Sequence, residues 1–157
     1  MSMDSSRIGI IGATPLGVGL ADLAAQKSLN VLLIDTDKGN LERGVQVIRE
    51  SVDVWIHEGK IKSDQKDEIR ARVQLALDYD VLKTVDFVFD AQADSEFEKM
   101  ASLRKCEEVL KPSAIFAIHT DTLSITKLAG DIKNPERVLG VHFLTPVISS
   151  RLVEIIR

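Results

Sequence analysis

Short apolar runs alternate along this chain with longer stretches in which apolar positions recur every three or four residues. The first run, RIGIIG at 7–12, is β-branched and closed by glycine, and Leu16, Leu20, Leu23 and Ala24 follow at helical spacing. That pattern predicts a strand, a turn and a helix over 15–27. NVLLID at 30–35 reads as a second buried strand, and Leu41, Val45, Ile48, Val52 and Ile56 mark one face of a long helix ending near Gly59. From Ser63, SDQKDEIRARVQL reads as a charged helix lying on the surface. VDFVFD at 85–90 and SAIFAI at 113–118 are further strands, flanking a helix over 95–110 that stops before Lys111-Pro112. A short helix at 124–130 precedes two last strands, RVLGVHF at 137–143 and RLVEIIR at 151–157, on either side of a turn at Thr145-Pro146.

Strands alternating with helices predict an α/β fold of Rossmann type, a doubly wound and mostly parallel sheet with helices on both faces. Its ligand crevice is expected outside the carboxyl ends of the strands. No repeat, low-complexity tract or linker divides residues 1–157, so the sequence reads as one domain.

Composition narrows the partners. A net charge of −4, with no basic run and no interleaved aromatics, argues against nucleic acid, and no apolar stretch approaches the length of a membrane span. The start MSMDSSR lacks the layout of a secretory signal, and a single cysteine cannot form an intrachain disulfide, so a cytoplasmic setting is expected. Cys106 is expected to be a half-buried thiol on a helix rather than a nucleophile. Trp55 and His57 are expected to cover the edge of the core, and the charged run 60–72 to be a solvated face.

GATPLG at 12–17 follows the first strand and opens the first helix, which is where a dinucleotide-binding unit carries its phosphate loop. Gly12 makes the turn and Gly17 permits close helix–strand packing, while Thr14 stands where the second glycine of G-x-G-x-x-G would be. Asp35 ends the second strand 18 residues after Gly17, placed to accept from a ribose 2′-hydroxyl and to repel a 2′-phosphate. The chain is therefore expected to be a dinucleotide-binding domain that prefers NAD to NADP. Thr14-Pro15 also makes a good helix start: the threonine hydroxyl can accept from the amide of Leu16 or Gly17, donors that a pyrophosphate would use. Two readings stay open, a cofactor loop and a self-capped helix with little affinity.

With this loop, Asp35 and the segments HTDTLSIT, NPERVLGVHFLTP and LVEIIR, residues 7–157 resemble the N-terminal domain of the L-3-hydroxyacyl-CoA dehydrogenase family. The most specific part is NPERVLGVHFLTP followed by LVEII, similar to the family's P-x-R-hydrophobic-x-G-hydrophobic-H-F-F-N-P and L-V-E-V. The resemblance implies that His142 takes the proton from the substrate's 3-hydroxyl while a nicotinamide accepts the hydride, and that Glu154 orients the histidine. It also places Asp94 and Lys99 near the cofactor. The family's S-N-T-S-S-L reads here Ile118-His119-Thr120-Asp121-Thr122-Leu123, so His119 replaces a cofactor-side asparagine and Asp121 the serine that contacts the substrate oxygen. Ionised Asp121 cannot donate a hydrogen bond, and beside His142 it would favour the imidazolium. Thr145 stands in for the asparagine of H-F-F-N-P.

The resemblance further implies an acyl-CoA substrate, completed by a C-terminal helical domain that this chain lacks, and a possible homodimer in the full-length form. The end inside an apolar strand suggests an excerpt, and the isolated chain is expected to be inactive. The alternative is a catalytically impaired module kept for binding or structure. His119, Asp121 and His142 have the composition of a zinc ligand set, but nothing around them has the signature of a supporting shell, and no metal is assigned.

Overall fold

The alternation of strand and helix carries through in the computed structural model, which describes residues 7–144, 147, 150 and 152–156. β1 (Arg7–Ile11), α1 (Pro15–Gln26), β2 (Asn30–Ile34) and α2 (Lys38–His57) follow the apolar pattern closely. The later elements are α3 (Lys66–Ala71), β3 (Val73–Ala76), β4 (Phe87–Asp90), α4 (Glu96–Val109), β5 (Ile115–His119), α5 (Ile125–Ala129), β6 (Val138–Phe143) and β7 (Val153–Ile156). Thr145-Pro146, Arg151 and Arg157 lie outside the described residues, as does the turn read at that place.

Among the described residues, seven strands form one sheet in the order β3-β2-β1-β4-β5-β6-β7. All pairings are parallel except that of β6 with β7. The chain winds outward from β1 through β2 to β3, then crosses to β4 on the other side of β1. That reversal opens a crevice beyond the carboxyl ends of β1 and β4, where this class of sheet binds its ligands. Both faces are covered, which explains why the strands read as continuous apolar runs rather than alternating ones. Ile10 and Leu33 point to the face packed by α1, α2 and α3, and Ile11, Leu32 and Ile34 to the face packed by α4 and α5.

The segment from Ser63 departs from expectation. Instead of one long helix it forms a 3₁₀ turn (Ser63–Gln65), the short α3, and then the edge strand β3. The cause is tertiary: the outer edge of β2 carries backbone groups that must be paired, and Val31 N donates to Arg72 O at 2.8 Å as Val73 to Ala76 fall into register with Val31 to Ile34. Only Val73 of this strand is buried, so its apolar signal is weak. Two single residues also differ from their expected surroundings. Cys106 is fully rather than half buried, which raises its thiol well above the ordinary range. His57 is exposed, whereas Trp55 is half-buried beneath the Lys60 ammonium, 4.5 Å from the ring centre. Among the described residues no helix is long and apolar enough to cross a membrane.

Candidate functional site at the carboxyl ends of the strands

The glycine loop fits the crevice for steric reasons. Gly12 has φ +95°, a left-handed value that side-chain-bearing residues avoid, and its amide donates to Ile34 O at 2.7 Å. A Cβ on Gly17 would lie 1.9 Å from Gly12 O, so only glycine lets α1 start this close to β1. Pro15 occupies the first turn of α1 and is exposed, while the Leu16 side chain enters the core.

Thr14 caps α1. Its hydroxyl accepts from Gly17 N at 3.2 Å and donates to Ala91 O at 2.7 Å, tying the loop to the end of β4. The self-cap is therefore formed, and a pyrophosphate would have to compete for the Gly17 amide. Asp35 ends β2 as expected, but it also organises its own surroundings. Its Oδ2 accepts from Ala13 N at 2.8 Å, and its Oδ1 accepts from Asp37 N at 2.9 Å and Asn40 Nδ2 at 3.2 Å. These bonds fix the carboxylate at the loop, where a ribose hydroxyl can still reach its remaining lone pairs.

Across the crevice, β4 ends on Asp90 and the loop after it carries Gln92 and Asp94. Lys99 reaches this loop from α4. Its side chain is fully buried, with the ammonium 3.4 Å from Asp90 Oδ1 and 3.2 Å from Gln92 O. A buried ammonium needs a counter-charge, and Asp90 supplies it at the root of the loop. Desolvation nonetheless raises the Asp90 carboxyl, and its Oδ2 has no partner among the described residues. Gln92 presses on Gly12, its backbone N 3.0 Å from where a Cβ would sit, and continues through Ser102 to Tyr79. Asp94 faces β5 instead of the glycine loop, accepting from Thr120 Oγ1 at 2.6 Å, Thr122 Oγ1 at 2.9 Å and Asp121 N at 3.2 Å. Burial works against its charge, but these three donors outweigh it and hold the carboxyl below its usual range.

His142 and Glu154 lie on the other side of β4. His142, near the carboxyl end of β6, is paired in register with Glu154 at the start of β7, and His142 Nδ1 lies 2.8 Å from Glu154 Oε2. The two motif residues are thus cross-strand neighbours, a relation the antiparallel β7 creates. This hydrogen bond, with a smaller contribution from the Asp121 charge, raises the His142 pKa above its ordinary value. Asp121 Oδ1 approaches from the loop after β5, 3.3 Å from His142 Nε2 and 3.7 Å from His119 Nε2. His119 stacks on His142 with centroids 5.9 Å apart, and its Nδ1 lies 3.2 Å from Val141 O. Burial lowers the His119 pKa. Among the described residues no group of three or more metal-binding side chains has the geometry to hold an ion.

A groove of about 530 Å³ runs beside the glycine loop between α1 and α2, mostly apolar along Pro15, Val18, Gly44 and Val47, with Arg43 and Asp22 at its polar points. Nothing in the apolar pattern marks this groove, where Gly44 lets α2 approach α1: a Cβ there would meet Val18 Cγ2 at 2.8 Å. The clamping role of Asp94 was equally hidden, since its partners lie 26 to 28 residues away.

A glycine-turned loop with an acid at the end of β2, joined by one sheet to a histidine–carboxylate pair, defines a dinucleotide-binding domain of dehydrogenase type. Residues 7–157 match the family described as the NAD binding domain of 3-hydroxyacyl-CoA dehydrogenase, and the chain belongs to it. NAD is accordingly the cofactor of this domain. Among its relatives are a 3-hydroxybutyryl-CoA dehydrogenase of Bradyrhizobium diazoefficiens, 33% identical over 96% of this chain and 52% of that protein, and a 3-hydroxyadipyl-CoA dehydrogenase of Escherichia coli, 30% identical over 99% and 33%. The solved structure of (S)-3-hydroxybutyryl-CoA dehydrogenase from Ralstonia eutropha superposes with a TM-score of 0.92 at 32% identity, covering 96% of this chain and 53% of that one. The chain thus spans about half the length of these relatives or less.

Proposed function

We propose that this chain is the cofactor-binding half of an NAD-dependent 3-hydroxyacyl-CoA dehydrogenase, with His142 as its acid–base residue. The observation that carries this reading is the His142–Glu154 contact of 2.8 Å, on the same sheet as the Gly12–Gly17 loop. Gly12, Thr14, Pro15, Leu16, Gly17 and Asp35 would hold the dinucleotide, with the glycines giving backbone access and Asp35 the ribose contact. When bound, NAD supplies a hydride acceptor. Glu154 holds Nδ1, which leaves Nε2 to exchange the proton of the 3-hydroxyl. Asp94 reaches the site through the 120–122 loop, and His119 lines it from β5.

The acyl-CoA would be completed by a further, mostly helical domain, and a homodimer in the cytoplasm fits the same reading; the longer relatives support the first of these. The intact acid–base pair separates this proposal from a module kept only for binding. NADH oxidation driven by acetoacetyl-CoA, measured on the full-length natural protein, tests it. Turnover is expected, and His142→Gln should reduce it by about 10²-fold or more, the usual contribution of a positioned acid or base. No turnover, or turnover untouched by the substitution, contradicts the proposal.

A further inference from the structure

His142 is held on both nitrogens. Glu154 reaches Nδ1 from β7 at 2.8 Å and Asp121 reaches Nε2 from the loop after β5 at 3.3 Å. Glu154 takes the Nδ1 proton in a hydrogen bond, and the Asp121 carboxylate stands at ion-pairing distance from Nε2, an arrangement that favours a ring with a proton on each nitrogen. Asp121 is kept in place by its loop. Asp94 binds the hydroxyls of Thr120 and Thr122 and the amide of Asp121, while Thr120 Oγ1 accepts from Leu123 N at 2.8 Å and Thr122 N at 3.2 Å.

The neighbouring histidine cannot replace His142 as donor. A carbonyl can only accept, so His119 must place its proton on Nδ1 to bond Val141 O, leaving a lone pair on Nε2, 3.7 Å from Asp121 Oδ1. Burial favours that neutral form. Among the described residues, Glu154, Asp121 and His119 are the titratable groups around the ring, with Asp94 one layer behind and Lys99 sequestered against Asp90.

We infer that Asp121 sets the proton load of the resting site: bracketed by Asp121 and Glu154, His142 rests with a proton on Nε2, the state that protonates a 3-oxo group during reduction. This rests on the dehydrogenase reading, with reduced nicotinamide dinucleotide as the reductant. As the hydride reaches the carbonyl carbon, the C=O π pair moves to oxygen and takes the Nε2 proton. His142 is left neutral on Glu154 and regains its proton from water beside Asp121, whose side chain is 63% exposed. Oxidation runs the steps in reverse and must begin by discharging the ring. A serine at this position would impose no such bias.

The test is the titration of the His142 ring by ¹H–¹⁵N NMR in the parent and in Asp121→Asn, with pH profiles of kcat/KM in both directions. The substitution removes an exposed carboxylate and keeps the amide that Asp94 binds, so the loop is retained. The His142 midpoint is expected to fall by about half a pH unit, and the midpoints of the kcat/KM profiles for oxidation and for reduction to fall with it. Asp121→Ser should behave alike. An unchanged His142 midpoint overturns the inference. A lowered midpoint in a protein that turns over in neither direction leaves the bracket standing and overturns the dehydrogenase reading.

Discussion

Thr14 makes two contacts that a glycine could not, one to the amide of Gly17 and one to the carbonyl of Ala91. Both stabilise the loop at a place where a second glycine would leave backbone open to phosphate. Thr14→Gly is expected to cost about 1 kcal/mol, a few tenths for the cap and the rest for the lost hydrogen bond, and to tighten NADH. Thermal denaturation and a titration with NADH, run on the same variant, read the two effects. A variant that loses stability without gaining affinity would mean that the pyrophosphate does not use the Gly17 amide. The competition itself was legible in the sequence, because a threonine followed by proline is a helix start wherever it stands. The bond to Ala91 was not, since it crosses 77 residues.

Between elements, the loop from β4 to α4 connects the two halves of the crevice. Gln92 abuts Gly12 on one side and Asp94 gathers the 120–122 loop on the other, so that loop sets where Asp121 stands. Asp94→Asn keeps an acceptor but loses the charge and one of the two carboxylate oxygens that serve three donors. It is expected to increase amide exchange at residues 120–123 and to loosen Asp121 from His142. Acid acts in the same sense. The Asp94 carboxyl is lowered by folding from 3.8, so its contribution is complete above that value and disappears as the pH falls through the lower native one. Amide exchange at 120–123 that is indifferent both to the substitution and to acid would contradict the clamp.

Elements with their own periodicity, such as α1, α2 and the buried strands, could be read from the chain. β3 could not, because its conformation answers to the edge of β2 rather than to its own side chains. The same division runs through the site. Gly12, Gly17 and Asp35 stand out because the spacing after β1 and the end of β2 mark them, and His142 and Glu154 because a motif does. The burial of Lys99 was not legible, since sequence does not show that Asp90 keeps it inside.

For the molecule as a whole, the topology makes one crevice of these parts. The reversal of strand order between β1 and β4 brings the glycine loop to one side of Ala91 and Gln92, and the parallel run through β5 to β6 brings His142 to the other. The central claim is that this crevice binds NAD despite the Thr14 cap. Isothermal titration of the protein with NADH tests it most directly. The account predicts saturable binding, weaker for NADPH and lost in Gly17→Val, whose side chain would collide with Gly12 O. No heat of binding at millimolar NADH, or equal affinity for NADH and NADPH, would contradict it.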